Sequence, residues 1–235
     1  MTGPAAYERA KTHYRSSEIA ESYDSWRYET SRGRRRNRRD LAAIGRALAE
    51  AQRRGAPIGS GLDLPCGTGR LIPLLRQRRI RAVGADISLE MMFVARRKFG
   101  AALPLAQCSA EQIPHRDGAF DCVFSIRFMF HLDHGARLRI LREMGRVSRR
   151  WLVVDFRHRY NLRSLLWRAA GRIGLRRDIP FRFSRRGLAE ELRQSGLELV
   201  AIYPPRRFVG FFSDKWIVLA EKLGPKASPA GTGSG

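Results

Sequence analysis

Two acids and a glycine turn are the residues of this chain whose types and spacing could do chemistry. The segment Gly61-Leu-Asp-Leu-Pro-Cys-Gly-Thr-Gly-Arg70 begins as an apolar strand, turns on Gly67 and Gly69, and enters the helical run Leu71-Ile-Pro-Leu-Leu. Glycines at such a turn let the backbone approach a ligand at the mouth of the sheet, where doubly wound folds bind. Two phosphate-binding readings fail. The dinucleotide pattern needs a third glycine where Ile72 stands, and the phosphate loop needs a lysine, which is absent between Lys11 and Lys98. Asp63 stands just ahead of the turn. An acid there repels a pyrophosphate but accepts from a ligand's ammonium group. The next strand ends in Gly84-Ala-Asp86, 23 residues after Asp63, where an acid is placed to grip ribose hydroxyls. The ligand so described has a ribose and a cation and no phosphate.

Positioning those acids requires strands that end side by side. Short apolar runs at Gly61–Leu64, Arg81–Ala85, Leu103–Cys108, Phe120–Ile126, Trp151–Phe156, Glu198–Tyr203 and Lys215–Ala220 alternate with amphipathic stretches near 69–78, 89–99, 134–147 and 184–195. Continuous apolar strands separated by helices predict a parallel sheet covered on both faces. Only Pro204 to Asp214 separates the last two strands, too short for a helical crossover, so these two should form an antiparallel hairpin. The fold expected is α/β: a doubly wound, Rossmann-like, seven-stranded sheet, mostly parallel with an antiparallel last strand. Ahead of it, residues 5–28 read as a helix through Tyr7, Tyr14, Ile19, Tyr23 and Trp26. A second helix is expected from about Arg38 to Arg53, with Leu41, Ile44, Leu48 and Ala51 on one stripe.

Composition narrows the class. With 43% apolar and 29% charged residues in 235, the chain reads as globular. The longest uncharged stretch, Phe99 to Ala110, is short of the roughly 18 apolar residues of a membrane span. No apolar core follows a basic start, so no signal peptide is expected. Three cysteines (Cys66, Cys108, Cys122) without a CxxC argue against a disulfide framework and for a reducing, cytoplasmic setting. Lysine plus arginine total 45 against 22 acids, a net charge of +23, and only five of the 45 are lysines. A GC-rich coding bias accounts for that skew but not for the surplus over acids, which predicts attraction to polyanions. The densest run, Arg32, Arg34, Arg35, Arg36, Arg38 and Arg39, is expected where an arginine-rich loop enters the second helix. A solvated basic face is favoured over a dedicated nucleic-acid surface.

On these residues the sequence resembles the class I S-adenosylmethionine-dependent methyltransferases, from about Ile19 to Leu223. The family's first motif, an acid followed by alternating glycines, reads Asp63-x-Pro65-x-Gly67-x-Gly69, with Pro65 in place of the first glycine. The resemblance implies S-adenosyl-L-methionine as cofactor. It places Asp63 and Gly67 at the methionine half, counts Pro65 and Gly69 with them among the cofactor-binding residues, and sets Asp86 on the ribose and Ile87 on the adenine. It sets Ala110 and Glu111, within Ser109–Asp121, near the adenine edge, and Ser125 at the position after the fourth strand. Tyr23, in Ile19-Ala-Glu-Ser-Tyr-Asp, resembles the tyrosine that covers the cofactor. The domains implied are a helical cap with a basic segment (1–54), the cofactor-binding methyltransferase domain (55–223) and a disordered tail (224–235).

Several other signals are read more plainly. Cys66 is in the wrong loop for the nucleophile of RNA 5-methylcytosine enzymes and is expected to pack. His131 and His134 have an HxxH spacing without a third ligand, so no metal is expected. Phe124, Phe128, Met129 and Phe130 could wall a substrate pocket, with core packing at least as good an account. If the acceptor must lose a proton, His131 is the first candidate base, with Asp155 and His158 after the fifth strand as alternatives. Three acceptor readings stay open. The first is a small-molecule or lipid-like acceptor, with the basic surface allowing peripheral contact with an anionic membrane. The second is RNA, and the third is a non-catalytic binding protein.

Overall fold

Seven apolar segments pair into one sheet in the computed structural model, which describes residues 16–55, 57–158, 182–206 and 213–224. In chain order they are β1 (Ser60–Asp63), β2 (Arg81–Asp86), β3 (Leu105–Gln107), β4 (Phe120–Ser125), β5 (Ser148–Arg157), β6 (Leu197–Tyr203) and β7 (Lys215–Lys222). Their spatial order is β3-β2-β1-β4-β5-β7-β6. The first five run parallel, and β7 runs antiparallel to both β5 and β6. From β1 the chain moves outward to β2 and β3, then returns to β4 on the other side of β1. The carboxyl ends of β1 and β4 therefore flank the point where strand order reverses, the place where open α/β sheets form a ligand crevice.

Helices cover both faces. Around the sheet lie α1 (Ser17–Asp24), α2 (Ser31–Arg53), α3 (Ile72–Gln77), α4 (Leu89–Phe99), α5 (His134–Val147) and α6 (Arg185–Gln194). The central strands alternate between two apolar layers, as a pleated strand must when neither face meets water. Val123, Leu152, Val154, Phe156 and Val218 pack with Ile140 and Met144 of α5 and Leu188 and Leu192 of α6. Cys122, Phe124, Trp151, Val153, Ile217 and Leu219 pack with Ala43, Ile44, Ala47, Leu48 and Ala51 of α2. Residues 43–51 thus belong to a core layer of the sheet rather than to a separate cap.

The N-terminal elements differ from the sequence expectation. The described part of the helix expected over 5–28 is α1 followed by one π-helical turn, Ser25–Glu29. Tyr7 and Tyr14 lie outside the described residues, as does the tail beyond Gly224. The second helix starts seven residues before Arg38, because Thr30 caps it by accepting from the Gly33 amide at 3.0 Å. Arginine is a good helix former. The Arg32–Arg39 run is therefore the exposed first turns of α2 and not a loop. Strand β3 is shorter than expected, and β5 begins at Ser148 rather than Trp151.

Candidate functional site: an acid-based cleft at the strand-order reversal

The loop after β1, the ends of β2 and β4 and the two N-terminal helical turns enclose a solvent-open cleft. Of the residues singled out in the sequence, Tyr23, Asp63, Pro65, Gly67, Asp86, Ile87, Ala110 and His131 line it. Gly69, Glu111, Ser125, Asp155 and His158 do not.

Asp86 is held at its base. One carboxylate oxygen accepts from the Gly67 amide at 2.7 Å and the other from the Ser88 amide at 3.0 Å. The acid thereby ties β2 to the glycine turn and keeps lone pairs for a ligand. Burial raises its pKa, and these amides oppose the rise. Asp63 is also buried, yet its carboxyl has no hydrogen-bond partner among the described residues. Burial pushes its pKa up to about 8, with Arg70 opposing and Asp86 adding to the rise. Without a ligand, this acid is mostly protonated at neutral pH.

The two glycines of the turn are required for different reasons. Gly67 has φ +54° with nothing within 4 Å of where a Cβ would stand, so its backbone conformation excludes a side chain while its open face borders the cleft. Gly69 has φ +80°, and a Cβ there would lie 2.5 Å from the Phe99 ring of α4. That glycine serves helix packing behind the cleft.

The N-terminal turns are tethered over this loop. The Thr68 hydroxyl donates to Asp24 at 2.7 Å, and Arg70 donates to Asn37 at 2.7 Å. Asp24 also pairs with Lys98 of α4. Tyr23 packs edge-on against Trp26 and Tyr28 at 5.6 and 5.9 Å. The Tyr28 ring lies under the Arg70 and Arg127 guanidiniums at 5.7 and 5.6 Å, and its hydroxyl accepts from Arg127 at 3.2 Å. Burial raises the Tyr28 pKa, but Arg70 and Arg127 outweigh it and hold the phenol below its ordinary value.

Past β4 the chain bends into the cleft. Arg127 has φ +70°, in the left-handed region that non-glycine residues seldom adopt. Its amide is held at 2.7 Å by Asp155, which is fully buried on β5. The other Asp155 oxygen is 3.3 Å from the Lys215 ammonium, which pairs at 2.6 Å with buried Asp40 of α2. Asp155 therefore positions the Arg127 backbone. His131 ends the short 3-10 turn Met129–His131 and sits against Phe130, ring centroids 4.4 Å apart. Burial lowers its pKa to about 4; Asp155 opposes this, and Arg157, Arg27 and Arg127 add to it. The imidazole is therefore neutral at pH 7.

The remaining candidates have other partners. His158 stacks on Trp216 at 4.1 Å, and Glu111 pairs with Arg139 at 2.9 Å. Ser125 is buried at the end of β4. His134 turns to Glu191 of α6 at 3.0 Å, so the two histidines of the HxxH spacing do not converge. Cys66 lines the cleft, but burial, Asp86 and Asp63 push its thiol well up, which disfavours a nucleophilic thiolate. Phe124 and Met129 are core residues, and Phe128 reaches the cleft wall. Sequence reasoning missed Thr68, Arg70, Met91 and Arg127 as lining residues. Arg127 in particular carries no local sequence signal, because its backbone conformation depends on an acid 28 residues away.

Comparison with known proteins agrees with this geometry. Residues 62–150 match the methyltransferase domain family. A ubiquinone/menaquinone biosynthesis C-methyltransferase of Nitrosospira multiformis is 35% identical over 106 residues, 40% of this chain and 42% of that protein. A probable tRNA methyltransferase 9B of Homo sapiens is 30% identical over 103 residues, 43% of this chain and 21% of that protein. The chain spans less than half the length of the curated relatives it matches. Among solved structures, the magnesium protoporphyrin IX methyltransferase of Synechocystis PCC 6803 with bound SAH shares the fold. Its TM-score is 0.68 at 17% identity, covering 90% of this chain and 99% of that one. Residues 62–150 therefore match the methyltransferase domain family inside a seven-stranded sheet of the fold that the solved methyltransferase shares.

Proposed function

We propose that this protein binds S-adenosyl-L-methionine in the cleft and transfers its methyl group to a small-molecule or lipid-like acceptor. The observation that carries the reading is Asp63, a buried carboxyl with no hydrogen-bond partner among the described residues, beside the open face of Gly67 and one strand from the anchored Asp86. A buried acid in that state calls for a cationic donor, and an amino-acid ammonium supplies one. In this reading Asp63 and Gly67 hold the methionine end, with Arg70 for its carboxylate. Asp86 takes the ribose hydroxyls, while Ile87 and Ala110 border the adenine under Tyr23. When bound, the cofactor supplies a methyl group already activated on a sulfonium.

The chain's own contribution is alignment of the acceptor and exclusion of water, which can account for much of such an acceleration. His131, neutral and facing the cleft, accepts the proton of an acceptor O–H or N–H as the methyl arrives. Three free cysteines fit a reducing, cytoplasmic setting, and no helix among the described residues is long and apolar enough to cross a membrane. An RNA acceptor is the second reading, favoured by the exposed Arg32, Arg34, Arg35, Arg36, Arg38 and Arg39 of α2.

Calorimetry with S-adenosylhomocysteine tests the cofactor assignment. Wild type should bind, and Asp86→Ala should lose about 1.5–3 kcal/mol, the loss expected of hydrogen bonds to a charged acceptor. Equal affinity in a folded Asp86→Ala protein refutes it.

A further inference from the structure

Cations crowd around the cleft residue His131 beyond what nearby acids balance, and one of them, Arg127, lines the cleft itself. Arg27 of the π-helical turn, Arg127 of the loop after β4 and Arg157 at the end of β5 all act electrostatically on His131. Arg36 of α2 feels the same three guanidiniums. Three separate elements therefore bring arginines to one neutral imidazole, and the exposed Arg36 of a fourth stands near them. The carboxylates on this side are Asp40, Asp155 and Asp214, and each is already engaged. Asp40 pairs with Lys215, Asp155 holds the Arg127 amide beside Lys215, and Asp214 is shared by Arg157 and Arg182.

Arg27, Arg36 and Arg127 have no carboxylate within 4 Å among the described residues. The buried Nε groups of Arg27 and Arg157 have no hydrogen-bond partner among the described residues. An unsatisfied buried guanidinium donor is costly unless an anion completes it. Aromatic faces lie alongside: the Arg157 guanidinium is 4.4 Å from the centre of the Phe130 ring, and Tyr28 and Phe128 line the cleft.

Resting on the methyltransferase reading, we propose that the acceptor is a small apolar or aromatic molecule bearing an oxyanion. The oxyanion is a carboxylate or a phosphate monoester held by Arg27, Arg36, Arg127 and Arg157. Planar guanidinium forks suit either oxyanion, and the rings hold the carbon skeleton so that the accepting atom meets His131. This subsite differs from the exposed Arg34 and Arg35, over which no aromatic ring lies among the described residues. It also differs from Arg70, which acts on Asp63 across the cleft.

Binding of 2-naphthoate, 2-naphthyl phosphate and 2-naphthamide to the protein, free and saturated with S-adenosylhomocysteine, tests the assignment. The anions should bind about tenfold or more tightly than the neutral amide in both forms, as expected of charge-assisted pairs. Relative strength of the two anions identifies the group recognised. Arg27→Gln/Arg36→Gln, on exposed elements, and separately Arg157→Gln should abolish the preference while S-adenosylhomocysteine binds unchanged. Equal binding of anion and amide overturns the proposal. So does a preference that disappears once S-adenosylhomocysteine is bound, which assigns the arginines to the cofactor, or one that an RNA oligomer alone displays. Failure of S-adenosylhomocysteine to bind refutes the methyltransferase reading instead, and the free-protein arm still reads the oxyanion site.

Discussion

Replacing Asp63 by Asn should have two opposite effects that follow from one buried acid. The folded-state pKa of Asp63 is about 8 because burial disfavours its charge. A ligand ammonium pairs with the carboxylate, so below that value binding must first expel a proton. Affinity for S-adenosylhomocysteine should then be reduced about 100-fold at pH 6, about 11-fold at pH 7 and about twofold at pH 8 relative to the fully ionised site. Calorimetry at pH 7 in buffers of different ionisation enthalpy should show about 0.9 proton released per ligand bound. Asp63→Asn should bind more weakly, release no proton and vary little between pH 6 and 7.5. Stability moves the other way. A carboxyl whose folded pKa is raised stabilises the fold fully only below the unfolded value, and that contribution is lost as pH rises from about 4 to about 8. The ligand-free Asn variant should therefore be more stable than wild type at pH 8 in denaturant melts, by an amount on the order of a few kcal/mol. A wild-type affinity flat from pH 6 to 7.5 with no proton release refutes the reasoning.

Two further outcomes concern the acceptor side. His131→Ala should lower turnover by about 10²–10⁴ with cofactor binding intact. The low pKa of His131, about 4, should leave wild-type turnover flat from pH 5.5 to 7.5 instead of falling near an ordinary histidine midpoint. A turnover within a few-fold of wild type in the variant removes the base. Asp155→Ala should destabilise the fold by about 3–5 kcal/mol in denaturant melts, as breaking a buried charge arrangement does. Asp155→Asn keeps an oxygen for the Arg127 amide and should hold turnover within about tenfold of wild type. Equal inactivity of both would make Asp155 a base and not a positioning residue.

Much of this was legible in the sequence alone. Asp63, Gly67 and Asp86 could be placed because strand-ending acids and turn glycines are local features whose spacing survives any packing. The antiparallel pairing of β6 with β7 followed from connection length. The apolar runs of β4 and β5 announced a sheet buried on both faces, and the two layers of Val123 and Phe124 confirm it. Only the tertiary structure decided the rest. The Arg32–Arg39 run read as a loop because a charged stretch carries no periodic stripe, yet Thr30 caps it as helix and the Ala43–Ala51 face anchors it to the sheet. Gly69 looked like a ligand glycine until Phe99, 30 residues on, was seen against it. Asp155 and His158 had suitable chemistry at a strand end, but their partners Lys215 and Trp216 lie about 60 residues away. The convergence of Arg27, Arg127 and Arg157 on His131 had no local mark at all. Periodicity and turn chemistry act over a few residues and can be read along the chain. Which charges end as neighbours is set by contacts between distant segments, and those exist only once the sheet has brought them together.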